Sequence, residues 1–235
     1  MQSRAVVVVD EVLQIIKECS PYTMIEAQRL SENVHFLIEL ERGGAVPKGE
    51  IIECGVWKGG MALALTRIFG AKRSYTFFDS FEGMPPPNRN DGRDAHFWAT
   101  HTDHPRYFDN CRADCAEFQV ILQELRPAHQ YIQVAKGWFA ETLGGIESGS
   151  VAFAHLDCDW YDSTLTCLEH LWPRMMAGGV ILIDDYYDWE GCRRAVHDFL
   201  SRNNARESIR SVGKFGGVSI TRLGDWTLAE SPHLR

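Results

Sequence analysis

No apolar run in this sequence is long enough to cross a bilayer. Its longest uncharged apolar run near the start, Ala5–Val9, is also too short to serve as a signal-peptide core. A cytoplasmic protein with no membrane partner is therefore expected. Basic charge is scarce, with 24 Lys+Arg against 32 Asp+Glu and a net of −8. Nucleic acid and anionic surfaces are bound by clustered basic charge, so no nucleic-acid partner is expected. The seven cysteines, at 19, 54, 111, 115, 158, 167 and 192, are odd in number and form no C-x-x-C. That usage suits a reducing compartment better than a disulfide framework. There is no internal repeat and no low-complexity tail. Neither G-x-G-x-x-G nor G-x-x-x-x-G-K-[ST] occurs, which weakens a dinucleotide or triphosphate reading.

What is present suits one globular domain. The 235 residues are 45% hydrophobic, and a chain of this length buries roughly 70–75% of its unfolded surface without a metal or disulfide staple. Apolar spacings of three and four predict helices over Asp10–Cys19 and Thr23–Glu41, broken at Ser20-Pro21 and ended by Gly43-Gly44. From residue 50, short apolar runs alternate with helical stretches. Strands are expected at Glu50–Cys54, Ser74–Asp79, Tyr131–Ala135, Val151–Asp157 and Val180–Asp185. Helices are expected at Gly59–Phe69, Cys111–Leu125, Thr164–Met175 and Glu190–Leu200. Strands joined through helices require crossovers and a parallel sheet. Ile209–Val212 and Val218–Arg222 read as a hairpin that adds an antiparallel edge. The stretch Gly83–Asn110, with Pro85–Pro87 and three of the nine histidines, reads as a long polar loop and a candidate lid.

In an open α/β sheet, ligands bind beyond the carboxyl ends of the strands. The first strand runs into Glu53-Cys54-Gly55-Val56-Trp57-Lys58-Gly59-Gly60, a glycine-rich turn suited to close ligand approach at a helix N-terminus, or simply to a tight connection. The second strand ends at Asp79, about 20 residues later, where an acid can take both hydroxyls of an adenosine ribose or merely face solvent. The fourth and fifth end in Leu156-Asp157-Cys158-Asp159 and Ile183-Asp184-Asp185. Adjacent parallel strands lie ~4.8 Å apart, so these carboxylates converge and repel unless a cation joins them. All-oxygen ligands suit Mg²⁺, whereas zinc favours His and Cys. The competing reading is that these acids, Asp159 above all, cap the next helix. His155 reads as a core residue, and His96, His101 and His104 as solvated lid residues.

Four blocks carry a resemblance. Glu53–Gly60, Phe78-Asp79-Ser80-Phe81-Glu82-Gly83-Met84-Pro85, Leu156–Thr164 and Gly178–Tyr186 together resemble the macrocin O-methyltransferase (TylF-type) family, as does Lys136-Gly137-Trp138-Phe139. The resemblance implies a Rossmann-like class I methyltransferase with a mostly parallel seven-stranded sheet, using S-adenosylmethionine and Mg²⁺ to methylate sugar hydroxyls of antibiotics. It implies cofactor contacts from Glu53, Gly55, Val56, Trp57, Gly59, Gly60, Asp79, Ser80, Phe81, Gly137, Trp138, Phe139 and Asp157. It implies Asp157, Asp184 and Asp185 as metal ligands and Asp157 as general base. Residues 1–45 would form a helical cap or dimer face of a homo-oligomer, residues 46–235 the catalytic domain, and 83–110 its lid. The acceptor would be a glycosylated small molecule. A catechol-type methyltransferase, or a nucleotide-dependent oxidoreductase on a similar sheet, stands as the alternative.

Overall fold

The computed structural model describes residues 4–105, 107–125 and 131–224. Two helices lead, α1 (Arg4–Cys19) and α2 (Ala27–Arg42), separated by a 3₁₀ turn that contains Pro21. Proline lacks a backbone donor and is tolerated only in a first helical turn, so it sets the break there. The alternating part follows: β1 (Glu50–Cys54), α3 (Gly60–Phe69), β2 (Tyr75–Asp79), α4 (Gly92–Thr100), α5 (Cys115–Leu125), β3 (Ile132–Lys136) and α6 (Phe139–Thr142). Then come β4 (Val151–Leu156), α7 (Tyr161–Leu171), β5 (Met175–Ile183), α8 (Glu190–Arg202), β6 (Ile209–Ser211) and β7 (Val218–Thr221).

The strands form one seven-stranded sheet in the order β3-β2-β1-β4-β5-β7-β6. The first five are parallel, and β7 runs antiparallel to both β5 and β6. Side chains alternate between the two faces of each strand. Ile51, Tyr75, Phe77, Phe153 and Leu182 pack into one core with α1, α2, α3 and α5. Ile52, Cys54, Phe78, Leu156, Ile181 and Ile183 pack into the other with α7 and α8. A sheet covered on both faces explains the continuous apolar runs of β4 and β5. Strand order reverses between β1 and β4, and the crevice at that reversal is where such folds bind ligands.

Three sequence expectations change. The stretch Gly83–Asn110 is not a plain loop, because α4 lies inside it with Ala95 and Trp98 buried. Helix α5 begins at Cys115 rather than Cys111, since Asp109, Asn110 and Cys111 all take positive φ, which a helix excludes. Helix α7 ends at Leu171, and β5 starts at Met175, five residues before Val180. Gly178 at φ 81 and a register shift against β4 disguise that early start as loop. Among the described residues, no helix is long and apolar enough to cross a membrane.

Candidate active site

The hydrogen-bond ladder continues one residue past each strand and so aligns the groups that follow. Gly137 N–H donates to the Asp79 carbonyl at 3.0 Å, and Gly55 N–H to Phe78 at 2.9 Å. Asp157 N–H donates to Cys54 and Asp184 N–H to Leu156, both at 2.9 Å. One row therefore presents the glycine turn, Asp157 and Asp184 side by side along the switch-point crevice.

The turn after β1 depends on Gly55. Its φ is +89, and a Cβ there would stand 1.8 Å from the Asp157 carbonyl oxygen. Only glycine permits that approach. The Asp79 carboxylate fixes the turn: Oδ2 accepts the N–H groups of Val56 at 2.7 Å and Trp57 at 2.9 Å, and Oδ1 accepts Phe81 N–H at 2.7 Å. A carboxylate offers about four lone-pair sites, so one remains for an incoming hydroxyl.

Beneath the turn, Glu53 is 1% exposed and 3.4 Å from His155 Nδ1. Among the described residues its Oε2 has no hydrogen-bond partner, and burial raises its pKa while the His155 contact opposes the rise. His155 is fully buried within β4, as expected for a core residue.

The ends of β4 and β5 form the acidic group. Asp157, Asp184 and Asp185 each bring one carboxylate oxygen to within 4.8 Å of the others. Burial pushes the Asp157 and Asp185 carboxyls well above the usual range, and their acidic neighbours push them further. Half-buried Asp159 is pushed up to about 7, chiefly by burial and against an opposing hydrogen bond from Trp189. Asp159 takes φ +54 and donates its N–H to Asp185 Oδ2 at 2.9 Å. The N-cap of α7 is Trp160 and no side chain caps the helix, so Asp159 does not take the capping role. Asp184 accepts Asn33 Nδ2 at 2.7 Å on one oxygen and Arg29 Nη1 at 3.2 Å on the other. Close, all-oxygen donors, with proton affinity raised at Asp157 and Asp185, fit a hard divalent cation such as Mg²⁺.

Both groups open into one cavity of about 780 Å³. That volume lies in the upper part of the range for small-ligand sites and suits two ligands side by side. Glu53, Gly55, Val56, Trp57, Asp79, Ser80, Gly137, Trp138, Phe139 and Asp157 line it, as the sequence suggested, together with Asp184 and Asp185. Gly59, Gly60 and Phe81 do not. Gly59 makes room for the Phe118 ring, Gly60 for Cys19 and Thr23, and Phe81 packs against Phe118 in the core. At both glycines the space a Cβ would need is taken by neighbouring side chains and backbone.

Several lining residues escaped the sequence reading. Tyr22–Glu26 and Arg29 come from the N-terminal segment. Trp189, also missed, joins Trp98 and Trp160 in an aromatic cluster, and the Trp160 indole donates to the Pro85 carbonyl at 2.9 Å and so ties down the approach to α4. Asn33 carries a readable signal, since it is polar yet stands among Leu30, Val34 and Leu37 on the buried face of α2. Of the lid histidines, His104 lines the cavity, while exposed His101 stacks on Phe97.

Sheet order, glycine turn and strand-end acids define a class I S-adenosylmethionine-dependent methyltransferase. Solved structures share this fold: the O-methyltransferase NovP at 26% identity and TM-score 0.69, covering 86% of this chain and 83% of that one. The calicheamicin methyltransferase CalS11 has 19% identity and TM-score 0.61, with 96% and 95% covered. The macrocin-O-methyltransferase (TylF) family model matches residues 17–219, and the chain belongs to that family. A relative from Streptomyces olivaceus, 8-demethyl-8-(2,3-dimethoxy-alpha-L-rhamnosyl)-tetracenomycin-C 4'-O-methyltransferase, is 31% identical over 199 residues, 83% of this chain and 74% of its own. Mycinamicin III 3''-O-methyltransferase from Micromonospora griseorubida is 28% identical over 204 residues, 83% of this chain and 76% of its own. By family and fold, the protein is an S-adenosylmethionine-dependent O-methyltransferase.

Proposed function

We propose that the protein methylates a hydroxyl of a sugar carried by a small-molecule natural product, with Mg²⁺ held by Asp157, Asp184 and Asp185. The observation that carries this reading is the convergence of those carboxylates within 4.8 Å, in the same cavity as the glycine turn and Asp79. The related enzymes named above, acting on rhamnosyl-tetracenomycin and on mycinamicin, support the substrate class.

Methyl transfer to an alcohol is an in-line displacement. The Glu53–Trp57 turn, Asp79 and Gly137–Phe139 would hold S-adenosylmethionine, which would supply a methyl already activated on sulfur. Mg²⁺ supplies Lewis acidity and a template for neighbouring hydroxyls. This chain then has to orient the acceptor oxygen and take its proton. Asp157 and Asp159 are both in reach. We favour Asp159, because a carboxylate that donates its lone pairs to a cation is a poor base, and Asp159 is outside the close triad.

The lining charge favours an uncharged acceptor. Nine acidic residues line the cavity against one arginine among the described residues, and that Arg29 already pairs with Asp184 and Asp188. A sugar still attached to a nucleoside diphosphate would bring two phosphates to a site without free cations. A finished glycoside fits better, and a catechol-type acceptor ranks second.

The test is methyl transfer to rhamnosylated aglycones, followed by mass spectrometry, with and without EDTA. Transfer should vanish with EDTA, return with Mg²⁺, and be absent for nucleotide-activated rhamnose. EDTA-insensitive transfer would remove the metal assignment, and preference for the nucleotide sugar would remove the acceptor assignment.

A further inference from the structure

We infer that Asn33, on the N-terminal helix α2, is a positioning residue for the strand-end acid Asp184. The inference rests on the metal reading above and extends it to a helix 151 residues away in sequence. Asn33 is fully buried on the apolar face of α2. Its Nδ2 donates to Asp184 Oδ1 at 2.7 Å, and its Oδ1 accepts Gly217 N–H at 3.3 Å from the β6–β7 turn. One amide thus bridges three elements that meet only in the folded chain.

The turn is built for this approach. A Cβ on Gly217 would stand 2.1 Å from the Ile183 carbonyl oxygen and 3.0 Å from Asp184 Cα, and one on Gly216 would stand 2.9 Å from Asn33 Oδ1. Helix α2 is held to the turn separately: Glu32 Oε2 accepts the N–H groups of Phe215 and, at 2.7 Å, Gly216.

An amide is the right chemistry for the task. Arg29 already sets one positive charge against Asp184, and a lysine or arginine at position 33 would add a second and compete with a cation. A leucine would leave a buried carboxylate oxygen without its donor, at a cost. A neutral N–H fixes the carboxylate and adds no further positive charge. With one donor on each oxygen, from Asn33 and Arg29, two of about four lone-pair sites are left for a cation. Partners that orient metal ligands in this way are typically worth about 10–100-fold in metal affinity.

The experiment measures Mn²⁺ affinity by calorimetry on the full chain, with S-adenosylhomocysteine affinity and thermal melting measured in parallel. Wild type, Asn33→Ala, Asn33→Ser and Glu32→Ala are compared. Asn33→Ala should weaken Mn²⁺ about 10–100-fold and leave S-adenosylhomocysteine within about threefold. Glu32→Ala loosens the same turn without touching Asp184, and Mn²⁺ should bind it within about twofold of wild type. Asn33→Ser keeps a buried polar group but cannot reach Asp184; it should also lose Mn²⁺ affinity, and it serves if the alanine variant does not fold. Equal Mn²⁺ binding by wild type and either folded Asn33 variant overturns the inference while the metal site stands. Equal losses in Asn33→Ala and Glu32→Ala reduce Asn33 to a general packing role, and overturn it too. No Mn²⁺ binding by wild type removes both the metal site and the inference.

Discussion

The two halves of the cavity bind by opposite means. Beside β1 and β2, polar groups are largely satisfied without a ligand: Asp79 accepts three backbone N–H groups, and the turn it shapes presents backbone to the cavity. Beside β4 and β5, acids are packed together, Asp157 and Asp185 with raised proton affinity, and among the described residues Asn33 and Arg29 are the side-chain donors to Asp184. The first half has its turn hydrogen-bonded before a ligand arrives. The second stores repulsion that a cation would relieve. A donor with a cationic sulfonium and an acceptor that needs a lowered pKa call for such a pairing, and the halves touch where Gly55 meets the Asp157 carbonyl.

Substitutions should separate the halves, beginning with the largest effect. Asp157→Asn and Asp184→Asn should each cut turnover about 10³-fold or more, ~4 kcal/mol of transition-state stabilisation. S-adenosylhomocysteine affinity should move little in Asp184→Asn, as calorimetry would show; a parallel collapse would mean the halves are not separable. Gly55→Ala strikes the contact between them and forces a side chain into positive φ against backbone. It should cost about 3 kcal/mol or more in denaturant unfolding and weaken cofactor and metal together. A folded Gly55→Ala variant that loses only one ligand would show the contact to be incidental.

Cation addition comes next. At 100 times its dissociation constant, Mg²⁺ should stabilise the folded chain by ~2.7 kcal/mol, read as a rise in melting temperature. Asp184→Asn should abolish that rise, and Asp79→Ala should keep it. Asp79→Ala itself should cost about 1–3 kcal/mol by leaving turn N–H groups unpaired, and should weaken S-adenosylhomocysteine. Unchanged cofactor affinity in that variant would remove Asp79 from the cofactor half.

Glu53 gives the smallest effect. Its folded pKa is raised, so its neutral form stabilises the fold fully below the unfolded value near ~4.3, and that contribution is lost as pH rises through the folded pKa. Glu53→Gln mimics the neutral acid. Its unfolding free energy should therefore gain on wild type as pH increases from about 4, measured without metal or cofactor; a constant difference would contradict the assignment.

Much of this was legible in the residues because it is local. Alternating strand and helix patterns placed all seven strands, and the acids following two apolar runs located the site, since parallel register brings strand ends together. What was hidden depends on contacts distant in sequence. Helix α4 lay behind Pro85–Pro87 and a polar composition, and only the packing of Trp98 on Trp160 and Trp189 makes it a helix worth forming. Gly59 and Gly60 look like ligand-cradling glycines, and their close packing on Phe118 and on Cys19 and Thr23 could not be read locally. Arg29 and Asn33 reach Asp184 from 155 and 151 residues away; the apolar neighbours of Asn33 mark it as buried, but nothing local names its partner.

The most direct measurement is an anomalous difference map from crystals grown with Mn²⁺ and S-adenosylhomocysteine. One peak bonded to Asp157, Asp184 and Asp185, next to the cofactor sulfur, is the predicted result. Crystals with cofactor bound in the cavity and no manganese between those carboxylates would contradict it.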